Sequence, residues 1–242
     1  MLKNKNQSTN LNVFITGHTS GLGLAIAKHY LDHNATVFGL SRNFSERKHP
    51  RLHEEKLDLS DNQDIEPALE ALKLKNKSLE VLFLNAAELG PISPLKKLKL
   101  DVLKKTMDTN VWSNKMILDW FLKFNHVPKQ IVLISSGASK NANYGWGAYA
   151  ISKSCLNMIA KLYAHEFPDS HISAVAPGLI DTKMQALIRK NDGAEFPSLK
   201  KMFKAYEDNL LPTPEKVATT LIKRLKEISQ LDSGSYIDLR HY

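Results

Sequence analysis

The sequence predicts a doubly wound α/β fold: a parallel sheet of about seven strands, with helices on both faces, in a single domain. Three observations predict it. Short apolar, β-rich runs alternate with longer segments of helical period. A glycine-rich turn follows the first of those runs. The chain has 242 residues, 43% hydrophobic and 24% charged, which suits one large core in an ordinary globular protein. Strands separated by helices need crossover connections, and these are right-handed in a parallel sheet. No repeat or linker divides the chain. Residues 1–10 are read as a polar tail and 11–242 as the domain.

The elements follow in order. A strand is expected over 11–16, then the glycines and a helix reaching about residue 33. Further strands are expected over 36–40 and 52–59. A helix over 61–75, with Asp61 as its N-cap, leads to a strand over 81–85. One long helix over 101–124 precedes the strand over 131–135. A helix over 147–166 and a strand over 172–175 come next, and a helix over 214–228 and a strand over 235–239 close the chain. The stretch 182–199, with Asn191 and Pro197, is read as a loop-rich, mobile lid.

Composition narrows the classes. No apolar run approaches the ~20 residues that cross a bilayer, and the N-terminus lacks a signal-peptide core, so a cytoplasmic protein without a membrane partner is expected. One cysteine, Cys155, leaves no internal disulfide and no cysteine-based zinc site, and no metal is expected. The net charge is +8, but it is scattered. Its densest run, Lys96 to Lys105, interleaves lysines with leucines at helical intervals and reads as a solvated helix face. Nucleic acid is not an expected partner.

The first turn reads Thr16-Gly17-His18-Thr19-Ser20-Gly21-Leu22-Gly23. Glycines there permit a tight turn and close approach of backbone to a pyrophosphate, and the following helix N-terminus offers free N–H groups. The second strand ends in Ser41-Arg42, where an acidic residue would grip a ribose 2′-hydroxyl. A guanidinium in that place suits a 2′-phosphate, so NADP(H) is favoured over NAD. His18 is read as an exposed loop residue beside it.

Tyr149 and Lys153 stand four residues apart on one helix face, and Ser136 follows the fifth strand at the sheet's open edge. Projection of that helix places Ala148, Ile151, Cys155, Met158, Ile159 and Leu162 in the main apolar stripe, with Tyr149 and Lys153 off it, toward a rim. With the glycine turn, Asp58, Asn85-Ala86-Ala87, Asn110 and Pro177-Gly178, the chain resembles the short-chain dehydrogenase/reductase family over nearly its whole length. Three segments, 134–139, 144–149 and 176–182, look most like the sepiapterin reductase and bacterial benzil reductase subgroup.

The resemblance implies a Rossmann-type dinucleotide site and a set of roles. Tyr149 would be the general acid, Lys153 would lower its pKa and hold the nicotinamide ribose, Ser136 would bind the substrate oxygen, and Asn110 would support a water in a proton relay. NADP(H) would lie on Gly17, Thr19, Ser20, Gly21, Leu22 and Gly23, on Ser41 and Arg42, on Asp58 and Leu59, and on Asn85, Ala86 and Ala87. Tyr149, Lys153, Pro177, Gly178, Ile180 and Thr182 would complete that site. Ala87 replaces the family's usual glycine, and Ser20 stands where many NADP-preferring members carry a basic residue.

Ser136 and Tyr149 would also contact the substrate, with Tyr144, Trp146 and Met184 around it; Tyr144 and Trp146 read equally well as an aromatic wall or as core. Few charged residues are placed for an anionic substrate, so a neutral ketone, aldehyde or vicinal dicarbonyl is expected. Two helices with two apolar faces each, one through Trp112 and Met116 and one adding Leu156, Ala160 and Tyr163, suggest a homodimer or homotetramer. The alternative to an NADPH-dependent carbonyl reductase is a non-catalytic NADP(H)-binding regulator on the same fold.

Overall fold

The computed structural model describes residues 11–241 apart from positions 47, 76 and 192; the tail expected over 1–10 lies outside the described residues. Seven strands, β1 (Asn12–Thr16), β2 (Thr36–Ser41), β3 (Leu52–Lys56), β4 (Val81–Leu84), β5 (Gln130–Ile134), β6 (His171–Ala176) and β7 (Ser235–Asp238), pair in parallel in the order β3-β2-β1-β4-β5-β6-β7. The order reverses between β1 and β4, and there the loops leaving the two strands part to opposite faces. β4 is buried throughout and β5 and β6 nearly so. Edge strand β3, Leu-His-Glu-Glu-Lys, is half exposed and carries the charge that blunts an open edge.

Alternation along each strand divides the core into two layers. Val13 and Ile15 pack with α1 (Gly21–Asp32) and with residues Val217, Leu221 and Ile228 near the C-terminus of the chain. Phe14, Leu82 and Leu133 face the other layer, built from the helices between β3 and β6. Phe14, Phe83 and Phe121 are fully buried, each contributing about 1.5–3 kcal/mol of apolar burial.

Four expectations are corrected. The helix expected over 61–75 is a short turn, Asn62–Asp64, followed by α2 (Ile65–Ala71), and the Asp61 side chain caps nothing. A helix begun at residue 61 would hold Pro67 in its interior; beginning at Ile65 puts that proline in the first turn, where no N–H is needed. The long helix over 101–124 is α3 (Leu100–Met107) and α4 (Ser113–Lys123), joined by a π-helical turn, Asp108–Trp112. Ser113 donates to the Thr109 carbonyl at 2.6 Å and Asn114 to the Asn110 carbonyl at 2.8 Å, so side chains occupy carbonyls that a regular ladder would use.

Helix α5 (Gly147–Glu166) is turned relative to the projection. Leu156, Ala160 and Tyr163 face the sheet; of the projected stripe, Ala148 and Ile159 are buried and Cys155 packs against the core, while Ile151, Met158 and Leu162 are exposed. A helix that must bury Ser152, Lys153 and Asn157 to reach polar partners cannot also bury the whole of that stripe. Finally, the stretch over 182–199 contains α6 (Lys183–Ile188) and the start of α7 (Ser198–Glu207). Ile188, Phe196 and Leu199 form a small core with Trp146, so this segment is more ordered than a loop. The last helix, α8 (Pro214–Ile228), starts as its sequence requires: Thr213 accepts from the Lys216 N–H and Pro214 takes the first helical position.

At the β1–α1 turn, Gly17 has φ +72°, and a Cβ on Gly23 would lie 2.2 Å from the Gly17 carbonyl oxygen and 2.5 Å from the Asn85 amide. Both neighbours are held, so Gly23→Ala should force the helix off the turn. A loss of about 1–3 kcal/mol is expected, read as a fall in melting temperature of several degrees by circular dichroism. A variant that melts with the parent would contradict this packing.

Candidate active site

The loops at the carboxyl ends of the strands enclose one crevice of about 1100 Å³. Its floor is the switch point. Thr16 is wholly buried, and its hydroxyl accepts from the backbone N–H groups of Asn85 at 2.9 Å and Ala86 at 3.0 Å, while the Asn85 amide donates back to the Thr16 carbonyl at 3.0 Å. These bonds lock the loop after β1 to the loop after β4.

Gly17, Thr19, Ser20, Gly21 and Leu22 border one end of the crevice, with Ser41 and Arg42, Asp58 and Leu59, and Asn85, Ala86 and Ala87 around them. Ser20 precedes α1 without capping it, so the first N–H groups of that helix stay free. Gly23 does not border the crevice; it brings α1 close to the turn. Burial would raise the Asp58 carboxyl, but hydrogen bonds from Ser60 and the nearby Arg42 and Lys105 charges outweigh that and hold it below the usual range.

His18 is not exposed as expected. It is 1% accessible, lies against Gly39, and joins the Ser41 hydroxyl at 3.0 Å to the Glu54 carboxylate at 2.8 Å. The imidazole is thus committed to bracing β2 and β3, and the cations bordering the crevice at this end include Arg42 and Lys105.

Ser136, Tyr149 and Lys153 all border the crevice. Ser136 follows β5, and its hydroxyl accepts from the Ala138 N–H at 3.1 Å and lies near enough to the Tyr149 phenol to pull its pKa down. Asn157 ties this turn to α5, accepting from Ser135 at 2.6 Å and donating to Ser139 at 2.8 Å. Lys153 is buried rather than on a rim, at 2% exposure, and donates to the Ile134 carbonyl at 2.7 Å. Its ammonium stands 5.7 Å from the centre of the Tyr149 ring.

Burial dominates both titrations. It pushes the Tyr149 phenol up to about 12, against the pull of the Ser136 hydroxyl, and pushes the Lys153 amine down to about 7. Burial disfavours the charged form of each group; a lowering of the phenol by Lys153 is an expectation for the site with an oxidised nicotinamide beside it.

Asn110, in the π turn, is fully buried and does not border the crevice. Its side chain accepts from the Glu88 N–H at 2.8 Å and donates to the Glu88 carbonyl at 2.9 Å and the Ser152 hydroxyl at 3.0 Å. Ser152 in turn donates to the Tyr149 carbonyl at 2.8 Å. Asn110 thus braces the loop after β4 against the helix that carries Tyr149.

Pro177, Gly178, Ile180, Thr182 and Met184 border the crevice from the β6 side, as do Leu89, Leu179 and Trp146. Trp146 is mostly buried and donates its indole N–H to Ser198 at 3.0 Å, so it is both core and wall. Tyr144 is not in the crevice: 57% exposed, it lies beside Phe196 and lines a neighbouring shallow groove. Asp238, Arg240 and Asn141 border the crevice and were not foreseen. The signal was available, because residues at the carboxyl end of the last parallel strand must emerge on the same edge as the other loops.

The site residues fit a dinucleotide. Gly17 and Gly21 border the crevice at the start of α1, and Arg42 rather than a carboxylate directly follows β2, where a carboxylate would repel a 2′-phosphate. Comparison with known proteins agrees with this geometry. The family model for short chain dehydrogenase matches residues 11–193. A benzil reductase ((S)-benzoin forming) of Bacillus cereus is 32% identical, the match covering 93% of this chain and 97% of the relative. The Bacillus subtilis (strain 168) enzyme of the same name is 30% identical over 94% and 98%. The crystal structure of YIR035C, a short chain dehydrogenase/reductase from Saccharomyces cerevisiae, superposes with a TM-score of 0.84 at 26% identity, covering 95% and 96% of the two chains.

The buried lysine has a measurable consequence. Its folded-state value, about 7, lies below the ordinary 10.5, so between those values the unfolded chain binds the proton more readily and stability rises with pH. Lys153→Met removes that penalty. The variant should melt above the parent at pH 7 and below, by a margin that narrows toward pH 10. A margin independent of pH would refute a buried, titrating ammonium.

Proposed function

The chain belongs to the short-chain dehydrogenase family and is an oxidoreductase, and from that premise we propose that it is an NADPH-dependent carbonyl reductase acting on a ketone, aldehyde or vicinal dicarbonyl. The observation that carries this reading is the convergence of Ser136, Tyr149 and Lys153 on one crevice, with a phenol that stays protonated at neutral pH. Reduction of a carbonyl needs a proton donor, and that is the form in which Tyr149 stands.

When bound, the dinucleotide supplies the hydride for the carbonyl carbon. Gly17 to Leu22 would hold its pyrophosphate on the free N–H groups of α1, with Gly23 keeping that helix close. Ser41 and Arg42 would take the 2′-phosphate, Asp58 and Leu59 the adenine, and Asn85, Ala86 and Ala87 the adenosine side. Pro177, Gly178, Ile180 and Thr182 would cover the nicotinamide end.

The substrate oxygen would accept from Ser136 and Tyr149, and as it becomes an alkoxide the phenol would give up its proton. Lys153 would stabilise the tyrosinate left behind and hold the nicotinamide ribose. Its amine, poised near neutrality, can also return a proton toward the phenol. Asn110 enters this reading through the backbone it braces. Trp146 and Met184 would bound the substrate. The Bacillus relatives, named for benzil reduction, support a dicarbonyl. We set the reaction in the cytoplasm, where the free Cys155 would remain reduced.

Purified protein should consume NADPH with a 1,2-diketone, and much more slowly NADH. Tyr149→Phe should lower kcat by about 10²-fold or more while NADPH affinity, followed by fluorescence, changes little. Turnover surviving in Tyr149→Phe would overturn the assignment of the acid.

The exposed stripe Ile151, Met158 and Leu162, beside Trp112 on the adjoining π turn, supports a contact between copies of this chain, as a homodimer or within a homotetramer. A double variant, Met158→Glu with Leu162→Glu, should run as a monomer in light scattering where the parent does not. A parent that is monomeric when concentrated would refute the contact.

A further inference from the structure

The carboxyl end of β7 brings to the crevice an arginine whose orientation is fixed from three sides. The Asp238 carboxylate accepts from Arg240 Nε at 2.9 Å, from Nη2 at 2.5 Å and from the backbone N–H at 3.1 Å. The arginine's methylene stem lies across Gly178, where a Cβ would stand 3.1 Å from Cγ and 3.2 Å from Cδ. Nη2 reaches to 3.7 Å from the place a Cβ on Gly137 would occupy, and the Asn141 amide nitrogen to 3.8 Å from the same place. The glycine at 178 leaves the room this side chain fills, and at 137 the guanidinium is in ordinary van der Waals reach. Gly137 directly follows Ser136, so the guanidinium lies one residue along from a reacting hydroxyl.

A guanidinium has five N–H donors in a planar fork. Nε and one N–H of Nη2 are taken by Asp238; the outer edge, formed by Nη1 and the second N–H of Nη2, makes no hydrogen bond among the described residues. Both Asp238 and Arg240 border the crevice, and the aspartate side chain is only 14% exposed. The anchor is therefore shielded, while the arginine side chain, 55% exposed, keeps its free edge open at the border of the crevice.

We propose that Arg240 is a specificity-determining residue that holds a second carbonyl oxygen of the substrate, next to the carbonyl held by Ser136 and Tyr149, so that the site selects neutral vicinal dicarbonyl compounds. Neutral is argued from charge. The Asp238 carboxylate already balances the guanidinium, and it would repel a substrate carboxylate brought to the same fork. An uncharged oxygen gains a bidentate, charge-assisted donor pair without meeting that repulsion. Asp238 acts here as a positioning residue. The proposal rests on the carbonyl reductase reading above and adds to it the chemistry beside the reacting carbon.

The test pairs two substrates that differ by one oxygen, 1-phenyl-1,2-propanedione and 1-phenyl-1-propanone, assayed with NADPH on the parent, Arg240→Gln and Arg240→Lys. The dione is intrinsically more reactive, so the readout is the change in the ratio of the two kcat/KM values, from which that advantage cancels. The ratio should fall by about 10- to 100-fold in Arg240→Gln, as expected when a charged hydrogen-bond donor to a bound oxygen is lost. Arg240→Lys, which keeps the charge but not the fork, should recover only part of it.

Thermal melts report whether each variant folds, and the lysine variant alone suffices should the glutamine variant fail. A ratio unchanged in folded variants overturns the role of Arg240 and leaves the reductase reading standing. A parent that prefers benzoylformate to the dione, with that preference lost in Arg240→Gln, overturns the neutral class in favour of a 2-oxo acid. Failure of the folded parent to turn over any of the three carbonyls, with NADPH bound, overturns the reductase reading itself.

Discussion

The hydroxyl of Thr16 accepting two backbone N–H groups from the loop after β4 is the bond pair on which the site depends. At the switch point of a doubly wound sheet the neighbouring loops turn away from each other, and the opening between them is the crevice. Something must still set how far they part. Thr16 and Asn85 do so with bonds inside the protein, and Gly23 lets α1 press against the same spot, its missing side chain the condition for contact with Gly17 and Asn85. One buried hydroxyl, one amide and one glycine thus define the floor on which every other group is placed.

Above that floor the protein places an amine where amines are poorly solvated. Lys153 is fully enclosed and has one hydrogen-bond partner, the Ile134 carbonyl. A buried ammonium with a single acceptor destabilises the fold, and the downward shift of its pKa expresses that cost. The surrounding polar chain compensates by rigidity. Asn157 and Ser139 hold the Ser136 turn, while Asn110 and Ser152 hold the helix that carries Tyr149. The π turn belongs to this arrangement: with Asn114 donating to the Asn110 carbonyl, the turn widens and aims the Asn110 side chain across at Glu88.

Much of this was legible in the chain. The alternation of strands and helices along the chain, the Thr16 to Gly23 turn, and the Tyr149–Lys153 spacing each have a local physical cause, so they could be read without neighbours. What could not be read depended on neighbours. The stripe on α5 was only half placed: Ala148 and Ile159 are buried, but Ile151, Met158 and Leu162 are exposed, because periodicity shows which residues share a face and not how that face is turned to the sheet; the buried polar residues Ser152, Lys153 and Asn157 decided it. His18 looked exposed because its partners, Ser41 and Glu54, come from strands distant in sequence. Pro67 was a readable signal against a helix starting at 61. Tyr144 and Trp146, two residues apart, parted company because Ser198 and Phe196 arrive from another helix and its approach to claim one indole.

The two ends of the crevice differ in how their arginines are paired, and that difference divides the work of recognition. Arg42, exposed after β2, forms no hydrogen bond among the described residues, while His18 beside it is drawn inward to Glu54; its charge acts on the Asp58 carboxylate without an ion pair, and Lys105 adds a second cation at this end. Arg240 at the far end is held and neutralised by Asp238, so it offers direction more than charge. A free cation attracts any anion over a distance set by screening, whereas a neutralised fork rewards only an oxygen placed within hydrogen-bonding reach. The overall charge of +8 therefore says little about what the crevice admits. What matters is that one guanidinium is pinned by hydrogen bonds to a carboxylate and the other is not.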